Sequence, residues 1–165
     1  MTSAEIRTIL EEHSKWLENS KNGRCANLRG VNLSKEDLRG VDLRGANLRC
    51  ADLRGVDLRG ATLRMADLGE TDLREASFIG VDLREVGLRW AILRYASLKG
   101  VDLKGADLRG ADLKGADLRG ANLRGAYLSR DDFSGANLED TNFEKTQVEN
   151  IYDNHPIAVS YTHLR

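Results

Sequence analysis

The sequence predicts an all-β solenoid preceded by one α-helix. Three observations carry this. A five-residue pattern, A/V-D/N-L-R/K-G, holds one frame from Cys25 to Lys145 of the 165-residue chain. It runs through 24 units, centred on positions 28 to 143 in steps of five, without an insertion or deletion. The residues before it follow a helical period instead.

The helix comes first. Ile6, Ile9, Leu10, His13, Trp16 and Leu17 recur at helical spacing and give the stretch from Thr2 to Asn22 one apolar face. Thr2-x-x-Glu5 is a capping-box pattern, and Gly23 is the expected C-terminal stop. A solenoid end exposes apolar core and unpaired strand edge, which must be covered. Residues 1–24 are therefore expected to form a capping segment, with those six side chains as the cap. The rival role is a partner-binding helix anchored by Trp16.

The repeat, residues 25–145, comes next. The unit centre is Leu in 21 cases and Phe in three (Phe78, Phe133, Phe143). Two residues earlier stands Ala in 14 units and Val in six, with Glu36, Thr71, Asp131 and Thr141 as exceptions. A helix would walk the Leu around its surface at this period. An extended chain puts residues two apart on one face. The small residue and the Leu then face inward together, while the Asp/Asn between them and the Arg/Lys after them face out. Gly at the fifth position suits a corner, where positive φ carries no Cβ penalty. A chain that turns every five residues and always buries the same side winds into a solenoid, its interior filled by side chains.

Units such as Ala46-Asn47-Leu48-Arg49-Cys50, Ala51-Asp52-Leu53-Arg54-Gly55 and Ala106-Asp107-Leu108-Arg109-Gly110 resemble the pentapeptide-repeat protein family. The resemblance implies a right-handed quadrilateral β-helix with four pentapeptides per coil, hence about six coils. At about 4.8 Å per stacked strand the shaft is roughly 29 Å long. It also implies a bacterial, often cyanobacterial, origin, and suggests a homodimer through the C-terminal end.

The tail, residues 146–165, loses the period, although Val148 still sits in frame. A turn-rich stretch through Pro156 precedes a strand-like segment, Ile157 to Leu164. It is expected to cover the far end of the shaft or to pair with a second copy.

Composition narrows the function classes. No apolar run approaches membrane length, and the N-terminus has neither a basic nor an apolar leader region, so a soluble cytoplasmic protein without membrane contact is expected. Cys25 and Cys50 are 25 residues apart and fall on different faces of a 20-residue coil, against an internal disulfide. With no His near either thiol, no metal site is expected, and no cofactor motif is present. The three His lie outside the repeat, at 13, 155 and 163, and no nucleophile arrangement or phosphate loop occurs, so no enzyme is expected. Residues 25–145 hold 20 Lys/Arg and 20 Asp/Glu. Asp precedes the centre in 12 units and Arg or Lys follows it in 17, a self-neutralising surface. The shaft starts basic and ends acidic: residues 24–64 hold nine basic and five acidic residues, residues 125–153 two and seven.

Departures from the consensus gather between Met65 and Tyr95. Folded at 20 residues per coil, Trp90 lies above Glu70 and Cys50 in one corner column, and Tyr95 above Glu75 in the next. Ile92 points outward between these corners. Glu70, Glu75, Trp90, Ile92 and Tyr95 thus form a candidate protein-interaction patch, since Trp and Tyr dominate interface hot spots. Drift at corners, each aromatic covering the neighbouring coil, is the competing account. Glu36 and Asp131 fall at inward positions, where a carboxylate needs a partner.

The function read from these features is a rigid, non-catalytic scaffold for an unidentified protein partner. One alternative, from the resemblance, is a DNA-mimicking modulator of a type II topoisomerase (gyrase); the neutral shaft disfavours it. A second is a nucleic-acid-binding rod acting through its Arg columns. The interleaved Asp, which repels phosphate, counts against that.

Overall fold

The computed structural model of the chain describes residues 1–129 and 133–148. Asp131 and the strand-like tail segment lie outside the described residues. Helix α1 spans Ser3–Glu18. Its capping box is formed: the Thr2 hydroxyl oxygen accepts from the Glu5 amide (3.3 Å), and the Glu5 carboxylate accepts from the Thr2 amide (2.7 Å).

The helix stops short of the expected Asn22. Asn19 is extended (φ −154, ψ 113), and it builds a turn in place of another helical turn. Its side-chain oxygen accepts from the Lys21 amide (3.1 Å) and its carbonyl from the Asn22 amide (2.8 Å). Asn offers the backbone these local bonds, which compete with the helix. Gly23 is therefore no helix stop. The chain doubles back there against α1, and an added Cβ would stand 2.6 Å from the Trp16 nitrogen. Arg24 then donates its amide to the Glu12 carbonyl (3.2 Å).

From Asn27 onward the chain winds as a solenoid. Parallel bridges join residues 20 apart at the outward position before each centre: Asn27 to Asn47, then Asp67, Gly87, Asp107 and Tyr127 on one face. The last step on that face pairs β1 (Tyr127–Leu128) with β2 (Gln147–Val148), so the ladder reaches Val148. Three bonds per unit tie one coil to the next. Leu28 donates to the Asn47 carbonyl, Asn47 to that of Ala26, and Gly30 to that of Arg49, at 2.7 to 2.9 Å.

Each corner is a turn closed from the centre carbonyl to the amide three residues on, as in Leu28 to Val31 (3.1 Å). At every described corner except that of Lys35 the third residue has positive φ, 67° at Gly30, as in a type II turn. The amide before it is met by the Asp or Asn of the same unit: Oδ1 of Asn27, Asp52, Asp82 and Asp117 accepts from Arg29, Arg54, Arg84 and Arg119. This explains why Asp and Asn interchange there. Either oxygen satisfies a donor that the ladder leaves unpaired.

The core is the inward column. Every centre from Leu28 to Leu128 is buried, Phe78 included. Thr71 and Thr141, at inward positions, are also buried, and their hydroxyls donate to the carbonyls of Leu68 and Leu118. At the first coil, Ile6 and His13 of α1 are buried, and Ile9 and Leu10 pack against the core. Trp16 and Leu17 are half-buried. Trp16 stacks on His13, ring centroids 5.5 Å apart, and reaches the Gly45 corner. Glu36 is only half-buried and accepts from the Ser3 hydroxyl (2.6 Å), so α1 supplies the donor that its inward position demands.

Candidate protein-interaction surface

Most of the outer surface is self-satisfied. Eight arginines, at positions 39, 44, 54, 59, 74, 84, 109 and 119, grip the Asp two residues earlier at 2.6 to 2.7 Å. Guanidinium and carboxylate meet as planar forks. The Arg39 hydrogen bonds, then the Arg39 amide, hold the Asp37 carboxyl down at about 2. The Arg119 bonds do the same for Asp117, also at about 2. In these eight units the charges thus cancel inside the unit.

In several units that lack the Asp, the arginine turns to the next coil. Arg49, whose unit carries Asn47, pairs with Glu70, and Arg64, beside Thr62, with Glu85 (2.9 Å). Arg94, beside Ile92, reaches Asp112. Gly69 belongs to this arrangement, since a Cβ there would stand 2.7 Å from the Arg49 guanidinium. Glu70 is thereby accounted for as the partner of Arg49, with the Cys50 thiol 3.7 Å from its other oxygen. Glu75 makes no ion pair among the described residues.

The corners of the middle coils are strained. From 65 to 95, six of the seven corners hold a non-glycine residue at positive φ: Met65, Glu70, Glu75, Glu85, Trp90 and Tyr95, at 58° to 61°. Such a conformation costs about 1 kcal/mol or more for a residue with a Cβ. Trp90 and Tyr95 are 52% and 63% exposed, and Ile92 between them 36%. Each aromatic ring covers the glycine at the same corner one coil on. A Cβ on Gly110 would fall within 2.6 Å of the Trp90 indole, and one on Gly115 within 2.6 Å of the Tyr95 ring.

The described structure thus brings Trp90, Ile92 and Tyr95 together, with Glu70 and Glu75 one coil below. Met65 and Ile79, though exposed, lie on other columns. Tyr127, a further exposed aromatic, stands on the neighbouring face in the column of Gly87 and Asp107, apart from Ile92, whose column holds Asp72 and Asp112. It is 42% exposed, and the Arg109 guanidinium lies 5.5 Å from its ring centre. Its signal was an aromatic at the position where Asp or Asn is the rule. Among the described residues, no group of three or more His, Cys, Asp or Glu is placed to hold a metal ion. No helix among them is long and apolar enough to cross a membrane.

The chain matches the family model described as pentapeptide repeats (8 copies) over residues 24–60, 51–89, 83–120 and 111–150. Similar solved structures include the pentapeptide repeat protein Rfr23 from the cyanobacterium Cyanothece 51142. It is 32% identical over 86% of this chain and 96% of that one, with a TM-score of 0.36. HetL, from the cyanobacterium Nostoc sp. strain PCC 7120, is a pentapeptide repeat protein involved in heterocyst differentiation regulation. It is 31% identical over 77% of this chain and 70% of that one, at 0.26. QnrB1, a plasmid-mediated fluoroquinolone resistance protein, is 15% identical over 84% and 96%, at 0.29, and at that distance lends no functional argument. No curated protein matches the chain. The repeat matches cover most of the sequence, and with them comes the right-handed β-helix: the chain belongs to the pentapeptide-repeat family.

Proposed function

We propose that the protein is a non-catalytic scaffold. In this reading it is a rigid rod of about six coils, closed at its N-terminal end by α1. It docks a protein partner on the strip formed by Trp90, Ile92 and Tyr95. The observation that carries the reading is the backbone strain. Two bulky aromatics sit at positive φ at adjacent corners, where thirteen other corners use glycine. Cys50, Asp140 and Lys145 adopt the same conformation elsewhere on the shaft, so it is strain coupled to two exposed rings at adjacent corners that gives a reason to look for a use there. The reading takes the rod to be cytoplasmic and leaves room for a homodimer through its C-terminal end.

The topoisomerase alternative has the neutral shaft against it, 20 basic and 20 acidic residues over positions 25–145. A nucleic-acid rod is disfavoured by the eight arginines already held by the Asp of their own units. The test is affinity capture from native extract with the wild type and with Trp90→Gly/Tyr95→Gly. Glycine suits the corner backbone, and circular dichroism checks the fold. Loss of a specifically bound protein is expected; an unchanged set of bound proteins overturns the reading.

A further inference from the structure

We propose that α1 is a pH-operated latch: protonation of His13 on Nδ1 releases the helix from the first coil and bares that end of the shaft. The proposal rests on the reading of α1 as the end cover.

His13 is fully buried. Its Nδ1 accepts a hydrogen bond from the Ala26 amide (3.1 Å). An imidazole that accepts at Nδ1 is neutral and carries its proton on Nε2. Nε2 is buried without a hydrogen-bond partner. Ala26 opens the first unit, and its amide has no preceding corner carbonyl of the kind that Leu28 gives Val31. The histidine therefore does at the first unit what a turn carbonyl does at later ones.

A second proton can enter only at Nδ1. That turns the acceptor into a donor facing the Ala26 N–H, breaks the bond, and leaves a buried cation with both nitrogens unmatched. The surroundings offer little compensation. The first coil presents Asp42 and Arg44, whose charges act on His13 in opposite senses and which pair with each other at 2.7 Å. On α1 itself, Glu12 and Lys15 pair with each other (2.7 Å). Among the other acids near this end, Glu36 is bonded to the Ser3 hydroxyl, Asp37 is held by Arg39, Glu5 accepts from the Thr2 amide, and Glu11 is exposed on α1. The stacked Trp16 ring favours a cation, but it replaces no hydrogen bond.

Burial lowers the His13 pKa below its ordinary value, Asp42 opposing and Arg44 reinforcing. The docked state then binds fewer protons than the released state. The latch is intact above the ordinary histidine pKa and weakens as pH falls from there toward the docked value. What remains to hold α1 is the Ser3–Glu36 bond, the Glu12–Arg24 backbone bond and the packing of Ile6, Ile9 and Leu10. Its release uncovers the first coil, where Leu28, Leu33, Leu38 and Leu43 are now fully buried.

The test is residue-resolved amide hydrogen exchange on the full chain at about pH 7.5 and about pH 4.5. The amides of Leu68 and Leu88, bonded to the next coil, serve as internal references. The Asp–Arg pairs survive this range, Asp37 and Asp117 being held at about 2. Opening at Ala26 and along α1 is expected to rise by up to about 100-fold at the lower pH, from an ordinary histidine pKa of about 6.5. The reference amides are expected to stay constant. His13→Gln, which keeps an acceptor that does not titrate, is expected to abolish the change. If that variant fails to dock, the wild-type pair still decides. Equal opening of α1 at both pH values overturns the latch but leaves the cap reading standing, as does an equal acid response in a docked His13→Gln. An unprotected α1 at about pH 7.5 overturns the cap reading itself.

Discussion

Trp90 covers Gly110, the residue at its own corner one coil on, so closely that no side chain fits beneath the indole. Gly110 thus serves two purposes, since its φ of 76° also excludes most residues. Gly110→Ala is expected to destabilise the wild type by about 2 kcal/mol, from left-handed strain and the displaced ring together. In a Trp90→Gly background only the backbone part remains, about 1 kcal/mol. Urea unfolding of the four proteins gives the coupling directly. Equal costs in both backgrounds would show that the indole does not hold this position.

Gly69→Ala forms the control. Its φ lies outside the positive range, and the obstacle is the end of the flexible Arg49 side chain. The guanidinium swings aside at the expense of an exposed pair with Glu70, so a cost below about 1 kcal/mol is expected. A loss as large as that of Gly110→Ala would mean that the Arg49–Glu70 pair matters far more than its exposure allows.

The frame made the fold legible because all 24 units keep a Leu or Phe centre in phase and 20 of them place Ala or Val two residues earlier, so any slip would have shown. Glu70 was legible only as an anomaly. Its explanation, Arg49 one coil away beside an Asn that cannot neutralise it, needs the pairing rule inside units, which the outward Asp and Arg do not announce. The Asp/Asn interchange hints instead at the turn bond, because a purely electrostatic role would not tolerate Asn47 or Asn122, whose side-chain oxygens accept from the Arg49 and Arg124 amides. The end of α1 was missed because the apolar face continues through Leu17 while Asn19 bonds its own backbone instead. The covering of Gly110 by Trp90 needed side-chain placement that no period supplies.

The role of the outward Asp separates into two parts. In Asp82, Oδ1 accepts from the Arg84 amide (3.1 Å), while the carboxylate also holds the guanidinium (2.6 Å). Asp82→Asn keeps the turn bond and loses an exposed ion pair, so a change below about 0.5 kcal/mol is expected. Asp82→Ala loses both and is expected to cost about 1 kcal/mol more than Asn. Chemical denaturation distinguishes the two; equal costs would make the ion pair, and not the turn, the reason for the residue.

Acid should act on the shaft late. Arg39 and Arg119 lower the folded pKa of Asp37 and Asp117 to about 2, below the ordinary value. The unfolded chain therefore takes up these protons first as pH falls. The contribution of these pairs is complete above about pH 4 and is lost as pH falls through about 2. Urea midpoints of a His13→Gln chain are expected to be flat from neutral pH to about 4.5 and to decline below that. A decline beginning near pH 6 in that variant would place the sensitive group elsewhere than in these pairs or His13.

Ile92→Asp restores the consensus at the centre of the candidate strip and sets stability against binding. An Asp there would accept from the Arg94 amide, as Asp72 does from that of Arg74 (3.3 Å), and would give Arg94 a partner in its own unit. Asp112, which Arg94 now holds, would be free for Lys114. A gain of up to about 1 kcal/mol is expected, as for other consensus substitutions at exposed positions. If the strip docks a partner, the same change places a carboxylate between Trp90 and Tyr95 and weakens capture. Drift would instead give the stability gain with capture unaltered. Urea unfolding and capture from extract on this one variant therefore separate a strained binding surface from a relaxed stretch of repeat.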